Sequence, residues 1–380
     1  MAELKPGWQR VKFGELAECI NDRVDDPATA GVDRYVGLEH LDPDTLTIRR
    51  WGSPTDVEST KLRFKPGDII FGKRRAYQRK LAVADFEGIC SAHAMVLRAK
   101  PDVVLPEFLP FFMKGNLFME RAIKISVGSL SPTINWKTLA QQEFMLPRLE
   151  EQRKISVYLI ACETQREACL RASMAMEDVA QAFVRDYFAE FAGTCYTGAE
   201  LSTLITKGES PRWQGFAYEE SGVMFITSEN IHDREINVTP AKYIPREFHE
   251  KLSRSQICAG DVLVNIVGAS IGRAAVVPKG IGEANTNQAV ALIRPQTELI
   301  EPEFMLEWFL SPFGQRIVAG QQVNTARANI SLADLRGMQI PCPDKTEQAR
   351  LLGIVDELRA GARACLIRKV DVYESNSIFL

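Results

Sequence analysis

The sequence has 380 residues, 46% hydrophobic and 25% charged, with a formal net charge of −3. This is the composition of a globular chain of two or three domains. It lacks an apolar run of the ~18 residues that a membrane span needs, and its opening stretch, MAELKPGWQR, has no apolar core of the kind a signal peptide carries. A cytoplasmic protein is therefore expected. A charge so near neutrality does not advertise a nucleic-acid binder, so any such role must rest on local patches.

In the first half, strand-like segments fall at 33–38, 68–71, 80–84 and 95–98. Between the second and third lie Lys73, Arg74, Arg75, Tyr77, Gln78, Arg79 and Lys80, giving five cations and no acid over 69–84. Arginine forks suit guanine edges and phosphates, Tyr77 can stack, Gln78 can hydrogen-bond, and a loop held by strand ends can carry them into a groove. The alternative is an ordinary solvated basic turn. The letters GDIIFGK from Gly67 to Lys73 match a phosphate loop. However, Arg74 stands where the magnesium-binding hydroxyl belongs and the middle positions read as a strand, so nucleotide binding is not expected. Ser91, Ala92 and His93 precede the fourth strand. Segment 106–124 reads as two short helices broken at Gly115 and Asn116. Segment 127–135 reads as a loop whose Gly128 and Ser129 can approach a phosphate backbone closely.

From Glu150 to Glu190 there is neither Pro nor Gly. Apolar residues recur in alternating steps of four and three at Ile155, Leu159, Cys162, Cys169, Met176, Ala180, Phe183 and Tyr187, broken only by Arg166 and Ser173. That is the seam of a coiled coil, on a helix about 60 Å long at ~1.5 Å per residue. Such a helix needs a second long helix as partner.

The second half has strand-like segments at 223–227, 261–267, 274–277 and 289–294. Its loop from Asn265 to Arg273 offers Asn265, Ser270 and Arg273. Asn287 and Gln288, in a cluster with Asn285 and Thr286, can pair with adenine. Segment 302–320 again reads as two helices, broken at Ser311 and Pro312 with Ser311 as a cap. The loop 323–331 carries Arg327. A second long helix begins after Asp344, with Glu347 completing a variant of the capping box. Its seam is Leu351, Val355, Leu358, Ala362, Cys365 and, past Lys369, Val372. Gly353 and Gly361 each weaken it by about 1 kcal/mol.

The two halves repeat one another. Gly67 and Asp68 correspond to Gly260 and Asp261, each before an apolar strand. Pro106, Glu107 and Phe108 correspond to Pro302, Glu303 and Phe304. Ile134 and Leu139 correspond to Ile330 and Leu335, and Glu151 and Gln152 to Glu347 and Gln348. The chain is thus expected to be α+β, with two repeated α/β domains at 1–148 and 193–343. A central helix at 149–192 and a C-terminal helix and tail at 344–380 can lie antiparallel, as a coiled coil.

Chemical motifs are missing. There is no G-x-S-x-G, no H-E-x-x-H, no dinucleotide fingerprint after a strand, and no Asn/Asp-Pro-Pro-aromatic tetrapeptide for a target amine. The four histidines do not cluster and the eight cysteines form no C-x-x-C, so no metal is expected and the cysteines read as small core residues. Three classes stay open from the residues alone: a DNA-reading scaffold, a stand-alone two-headed binder of protein or glycan, and a self-contained methyltransferase.

The chain resembles, end to end, the specificity (S) subunit of type I restriction–modification systems. The resemblance rests on the twice-used Pro147, Glu151, Gln152 and Pro343, Glu347, Gln348 entries to the long helices. It also rests on the repeated Gly-Asp strand, Gly272 and Arg273, Asn287 and Gln288, the two Pro-Glu-Phe triplets, and Gly128 and Ser129 before Ile134 and Asn135. His93 stands where the second half has Gln, and Asn324 and Thr325 replace Gly128 and Ser129. The resemblance implies two target recognition domains that each read half of a bipartite duplex DNA sequence. It also implies helices that set the gap and dock two methyltransferase subunits, with restriction/translocase subunits joining that core. The chain itself would be non-catalytic and hold no cofactor, with S-adenosylmethionine and ATP/Mg on its partners. The residues expected at the DNA are Lys73, Arg74, Arg75, Tyr77, Gln78, Arg79, Lys80, His93, Ser129, Asn265, Ser270, Arg273, Asn287, Gln288 and Arg327.

Overall fold

The computed structural model describes residues 7–320 and 329–376. The chain divides into two compact units, one running up to Leu170 and including the chain from Leu366, the other Arg171–Cys365. The division falls inside a single helix, Leu149–Glu190, whose first part packs with the first unit and whose last part packs with the second.

In the first unit, a four-stranded antiparallel sheet runs in the order Ala17–Ile20, Ala94–Ala99, Ile69–Gly72, Leu81–Val83. Its central strands are apolar on both faces because both are covered. Ile69, Phe71, Met95 and Leu97 point into a core shared with the helices Leu109–Lys114 and Asn116–Lys124 and with Leu159. Ile70, Ala82 and Val96 point the other way, onto Leu62, Phe64 and Cys90 of a second sheet. That sheet runs Arg23–Val24, Lys61–Phe64, Gly88–Ser91, Tyr35–Val36. The phosphate-loop letters therefore lie in a buried central strand, as their apolar middle suggests. Gln9–Lys12 pairs with Glu143–Leu146 at the entrance to the long helix.

The second unit repeats this order with Ser202–Lys207, Val290–Pro295, Val262–Asn265 and Ala274–Val276. Val262, Val264 and Ile293 face a core with the helix Pro302–Leu310, and Leu263, Ala275 and Leu292 face the opposite cluster. A separate three-stranded sheet of Tyr243–Ile244, Val223–Ile226 and Ala284–Thr286 supplies Ile226 and Ala284 to that opposite cluster. The helix breaks fall as expected. Gly115 separates the first pair, and Ser311 separates Pro302–Leu310 from Pro312–Gly320, with its hydroxyl accepting from the Gly314 amide at 3.3 Å.

The repeated sequence motifs turn out to be structural pins. Gly67 and Gly260 have φ of +88° and +86°, which favours glycine. The aspartates after them are almost wholly buried. Asp68 takes a two-pronged bond from Arg98 at 2.7 and 2.9 Å, and Asp261 takes the same from Arg294 at 2.7 and 2.9 Å. The glutamines of the helix-entry motif are fully buried. Gln152 accepts from the Leu105 amide at 2.9 Å and donates to the carbonyls of Val103 and Pro147. Gln348 accepts from the Glu301 amide at 2.8 Å and donates to those of Leu299 and Pro343. Each amide side chain satisfies backbone groups that burial would otherwise leave unpaired.

The C-terminal helix is Lys345–Asn376, and Asp344 caps it by accepting from the Glu347 amide at 2.9 Å. Within the second unit it runs antiparallel to the last turns of the central helix. Tyr187 lies beside Glu347 and Arg350, Glu177 meets Arg359 at 3.5 Å, and Met176 faces Gly361. A Cβ on Gly361 would meet the Met176 sulfur at 2.9 Å, a contact that the flexible thioether can relieve by moving. Leu351, Val355 and Ala362 are buried in the seam, while the Lys369 and Val372 side chains lie outside the described residues.

Two expectations are corrected. Arg166 and Ser173 do not break the buried line of the central helix. Leu159, Arg166, Ser173 and Ala180, one heptad apart, are all buried, Arg166 because acids and a hydroxyl surround it. The cysteines are not uniformly core residues either: Cys90 is buried, but Cys195 and Cys258 are exposed, in an edge strand and a turn. No helix among the described residues is long and apolar enough to cross a membrane.

Candidate nucleic-acid interface

In the first unit, three loops singled out by the sequence come together on one surface. Chain 73–75 lies against 132–134. The Arg75 amide donates to the Pro132 carbonyl at 2.8 Å, the Ile134 amide to Lys73 at 3.0 Å, and the Arg74 amide to His93 at 3.3 Å. The side chains continue the pattern. Arg74 reaches the Ser131 hydroxyl at 3.2 Å and His93 Nε2 at 3.1 Å, and Arg75 reaches the same hydroxyl at 3.3 Å. Arginine only donates, so Nε2 of His93 must accept. Burial together with the nearby Arg74, Lys73 and Lys61 pushes the His93 pKa below its ordinary value, which keeps that lone pair available. Arg75 and Tyr77 are exposed, with Tyr77 at 53%. Gln78 is half-buried and Ser129 exposed. Beside the loops lies a cleft of ≈ 780 Å³ lined by Lys73, Ile125, Val127, Ile134, Asn135 and Trp136 among others.

Two members of the basic run face inward. Arg79 sits at φ +53°, pairs with Asp44 at 2.6 Å, and donates to the Lys114 carbonyl at the end of its helix at 2.7 Å. Lys80 donates to the Leu38 carbonyl at 2.6 Å. Both cations serve the fold of the unit, because its loops leave backbone acceptors that need partners. The free positive charge of the loop is thus concentrated on Lys73, Arg74 and Arg75.

In the second unit the described ends of the matching loops meet in the same way. The Ile330 amide donates to Ile266 at 3.0 Å and the Ile266 amide to Ala289 at 2.9 Å. Asn265 is fully buried. Its amide donates to the Ser228 carbonyl at 2.9 Å and to the half-buried Ser270 hydroxyl at 3.0 Å. Its nitrogen therefore holds the hairpin base, while its buried Oδ1 takes no hydrogen bond among the described residues. Arg273, across the same hairpin, is exposed. Asn287 and Gln288 are half-buried, and the Asn287 carboxamide accepts from the Ala289 amide at 3.0 Å. The neighbouring Asn285 and Thr286 are wholly buried. Arg327 lies outside the described residues.

Sequence reasoning passed over several exposed groups. Leu130 and Val127 are 90% and 79% exposed on the loop read only for its small polar residues, and Trp213, beside Arg212, is 72% exposed. The signal was present. Leu130 is the single large apolar residue between Gly128 and Pro132, and Trp213 comes directly after a cation in a Gly- and Pro-flanked stretch.

Residues 6–167 match the family model of the type I restriction modification DNA specificity domain. Over 143 residues the chain is 33% identical to the type I restriction enzyme EcoBI specificity subunit of Escherichia coli, covering 38% of this chain and 30% of that one. Over 155 residues it is 30% identical to the EcoDI specificity subunit of Escherichia coli, covering 39% and 33%. The alignments thus span about a third of the length of these curated relatives. Two solved structures match over the whole of this chain. One, from work on complex assembly and conformational transition of a type I R-M system, has a TM-score of 0.60, 21% identity and 97% of its own length covered. The other, the S subunit of a type I restriction–modification system from M. genitalium, has a TM-score of 0.58, 12% identity and 96% covered. The resemblance read from the repeated motifs therefore holds: residues 6–167 are a type I restriction modification DNA specificity domain, in a chain whose full length has the fold of type I specificity subunits.

Proposed function

We propose that this chain is the DNA sequence-specificity subunit of a type I restriction–modification complex. The observation that carries the reading is the doubled site: a domain matched to DNA specificity, with the same strand order and the same backbone bonds between loop ends built again in the second unit. Each unit acts as a target recognition domain and reads one half of a bipartite duplex sequence. The cationic loop of the first and the Arg273, Asn287 and Gln288 surface of the second suit different half-sites, since their donors and acceptors differ. The two long helices set the unread gap and dock two methyltransferase subunits, to which restriction/translocase subunits add. S-adenosylmethionine and ATP with magnesium belong to those partners. The chain works in the cytoplasm and performs no chemistry itself, so the purified protein alone is expected to transfer no label from S-adenosylmethionine to DNA. Transfer by rigorously purified chain would refute its role as a scaffold.

Arg74→Ala with Arg75→Ala is the direct test of the interface. Duplex affinity is expected to fall, by about 1–3 kcal/mol for each two-pronged bond to a base that the substitutions remove. The slope of log affinity against log salt should shrink by ~0.9 for each phosphate no longer neutralised. In cells, a methylation map should change in the first half-site only. Unchanged affinity and slope would return this loop to the solvated face. Arg79 is left intact in the test, because its bonds to Asp44 and Lys114 make its removal a test of folding.

A further inference from the structure

The loop 127–133 places apolar side chains where folding gains nothing from them. Leu130 is 90% exposed and Val127 79% exposed, although burying apolar surface is the main favourable term in folding. A single exposed leucine needs no explanation, but this one is mounted on a built platform. The Val127 and Thr133 backbones close the loop with reciprocal bonds of 3.0 and 2.9 Å. Gly128 turns at φ +119°, a conformation that favours glycine. Residues 132–134 are tied to the basic strand end by the Arg75–Pro132 and Ile134–Lys73 bonds. The residue next to Leu130, Ser131, takes both the Arg74 and the Arg75 guanidinium on its hydroxyl. A hairpin closed by backbone bonds thus carries a naked leucine with two cations hydrogen-bonded at its flank.

We propose that Leu130 is a wedge that enters a groove of duplex DNA and inserts at a base step in or beside the first half-site, while Arg74 and Arg75 hold the adjoining phosphates. The proposal rests on the DNA-reading function of this domain. Groove-binding proteins use leucine in this way: the wedge partly unstacks a base step and kinks the duplex, and flanking cations hold the bent backbone. An unstacked step is also easier to open, which suits a system whose chemistry would be done on a base taken out of the stack. Leu130 is a positioning residue in this scheme, since it acts on DNA geometry and not on the reacting atoms.

The test uses the full chain assembled with its methyltransferase subunits. The probes are duplexes carrying the cell-mapped target with 2-aminopurine placed stepwise through and beside the first half-site. Wild-type complex is expected to brighten one step. Leu130→Ala should lose most of that brightening and keep the wild-type salt slope, because no cation has been removed. Its unfolding transition should also be unchanged, because Leu130 supports no packing. Leu130→Phe, a larger wedge, should retain the signal. Salt-dependent binding by wild type with no brightened step, or equal brightening by Leu130→Ala, overturns the wedge and leaves the DNA-reading function standing. No salt-dependent duplex binding by wild type overturns both.

Discussion

Replacing Glu307 with Ala is expected to cost the second unit about 3–5 kcal/mol of stability, because it strands a buried cation. The Glu307 side chain is only 4% exposed. It takes both prongs of Arg359, from the C-terminal helix, at 2.5 and 3.1 Å, and both prongs of Arg234 at 3.2 and 3.0 Å. Burial works against its charge, but the bonds from Arg359 and Arg234 outweigh it and hold the carboxyl below its ordinary range. A carboxylate with a depressed folded pKa stabilises above its unfolded pKa and loses that contribution as pH falls through the folded one. The variant should therefore show its deficit at neutral pH and converge on wild type in acid. Glu307→Leu with Arg359→Met should recover most of the loss, since the buried Arg359 charge is removed and Arg234, the more exposed partner, can turn to solvent. Urea unfolding at several pH values measures all three. A deficit under about 1 kcal/mol in Glu307→Ala would mean that the network is too well solvated to hold the helix.

The first unit clamps its own helix with the opposite polarity. The helix there supplies the acid Glu163, and Lys114 of the domain pairs with it at 3.2 Å. Arg166 bonds Glu163 and Glu167, and Arg49 pairs with Glu167 at 2.6 Å. Arg359 lies 196 residues after Glu163, the offset of the sequence repeat, so equivalent positions on the two helices carry opposite charge. A helix exchanged between the halves would set Glu163 against Glu307 and Lys114 against Arg359. Like charges at such range cost several kcal/mol, so each helix is matched to its own domain.

This matching was not legible in the sequence, and the reason is general. The long helix, its seam and both helix breaks were readable because they depend on periodicity and on Gly, Pro and Ser at set places. The central strands were readable because burial on both faces makes them continuous apolar runs. The strands Gln9–Lys12, Ala17–Ile20, Lys61–Phe64 and Gly88–Ser91 were not, since four residues are too few for a period and their pairing is set by distant partners. Charge was the least legible property. Arg79 looked free because the window 69–84 holds no acid, yet Asp44 meets it from another loop. Arg166 looked like a flaw in the seam because Thr45, which helps to satisfy it from a distant loop, was not visible as a neighbour. In the first unit, the loops that converge could each be singled out as segments, but which of their side chains point outward depends on backbone acceptors that only the fold reveals.

On the proposed function, adding one heptad to each long helix should lengthen the unread gap of the DNA target and leave both half-sites unchanged. The buried line Leu159, Arg166, Ser173, Ala180 advances by sevens, so an inserted heptad returns the downstream residues to nearly the same face. Suitable sites are between Arg171 and Ala172 and between Ala364 and Cys365. The antiparallel pairs Met176 with Gly361 and Glu177 with Arg359 bring these positions opposite one another. Each helix then grows by about 10 Å at ~1.5 Å per residue. Duplex DNA rises ~3.4 Å per base pair, which bounds the added gap at about three pairs. The duplex also turns along that rise, and reorientation absorbs part of the change, so the expected gain is one to roughly three pairs. A five-residue insertion is the control. It rotates the rest of the helix by ~140°, turns Ala180 and Val184 out of their cores, and should abolish folding. The readout is a methylation map of cells carrying the lengthened chain with its methyltransferase subunits. A protein that folds and supports methylation at the original spacing would show that these helices do not set the gap.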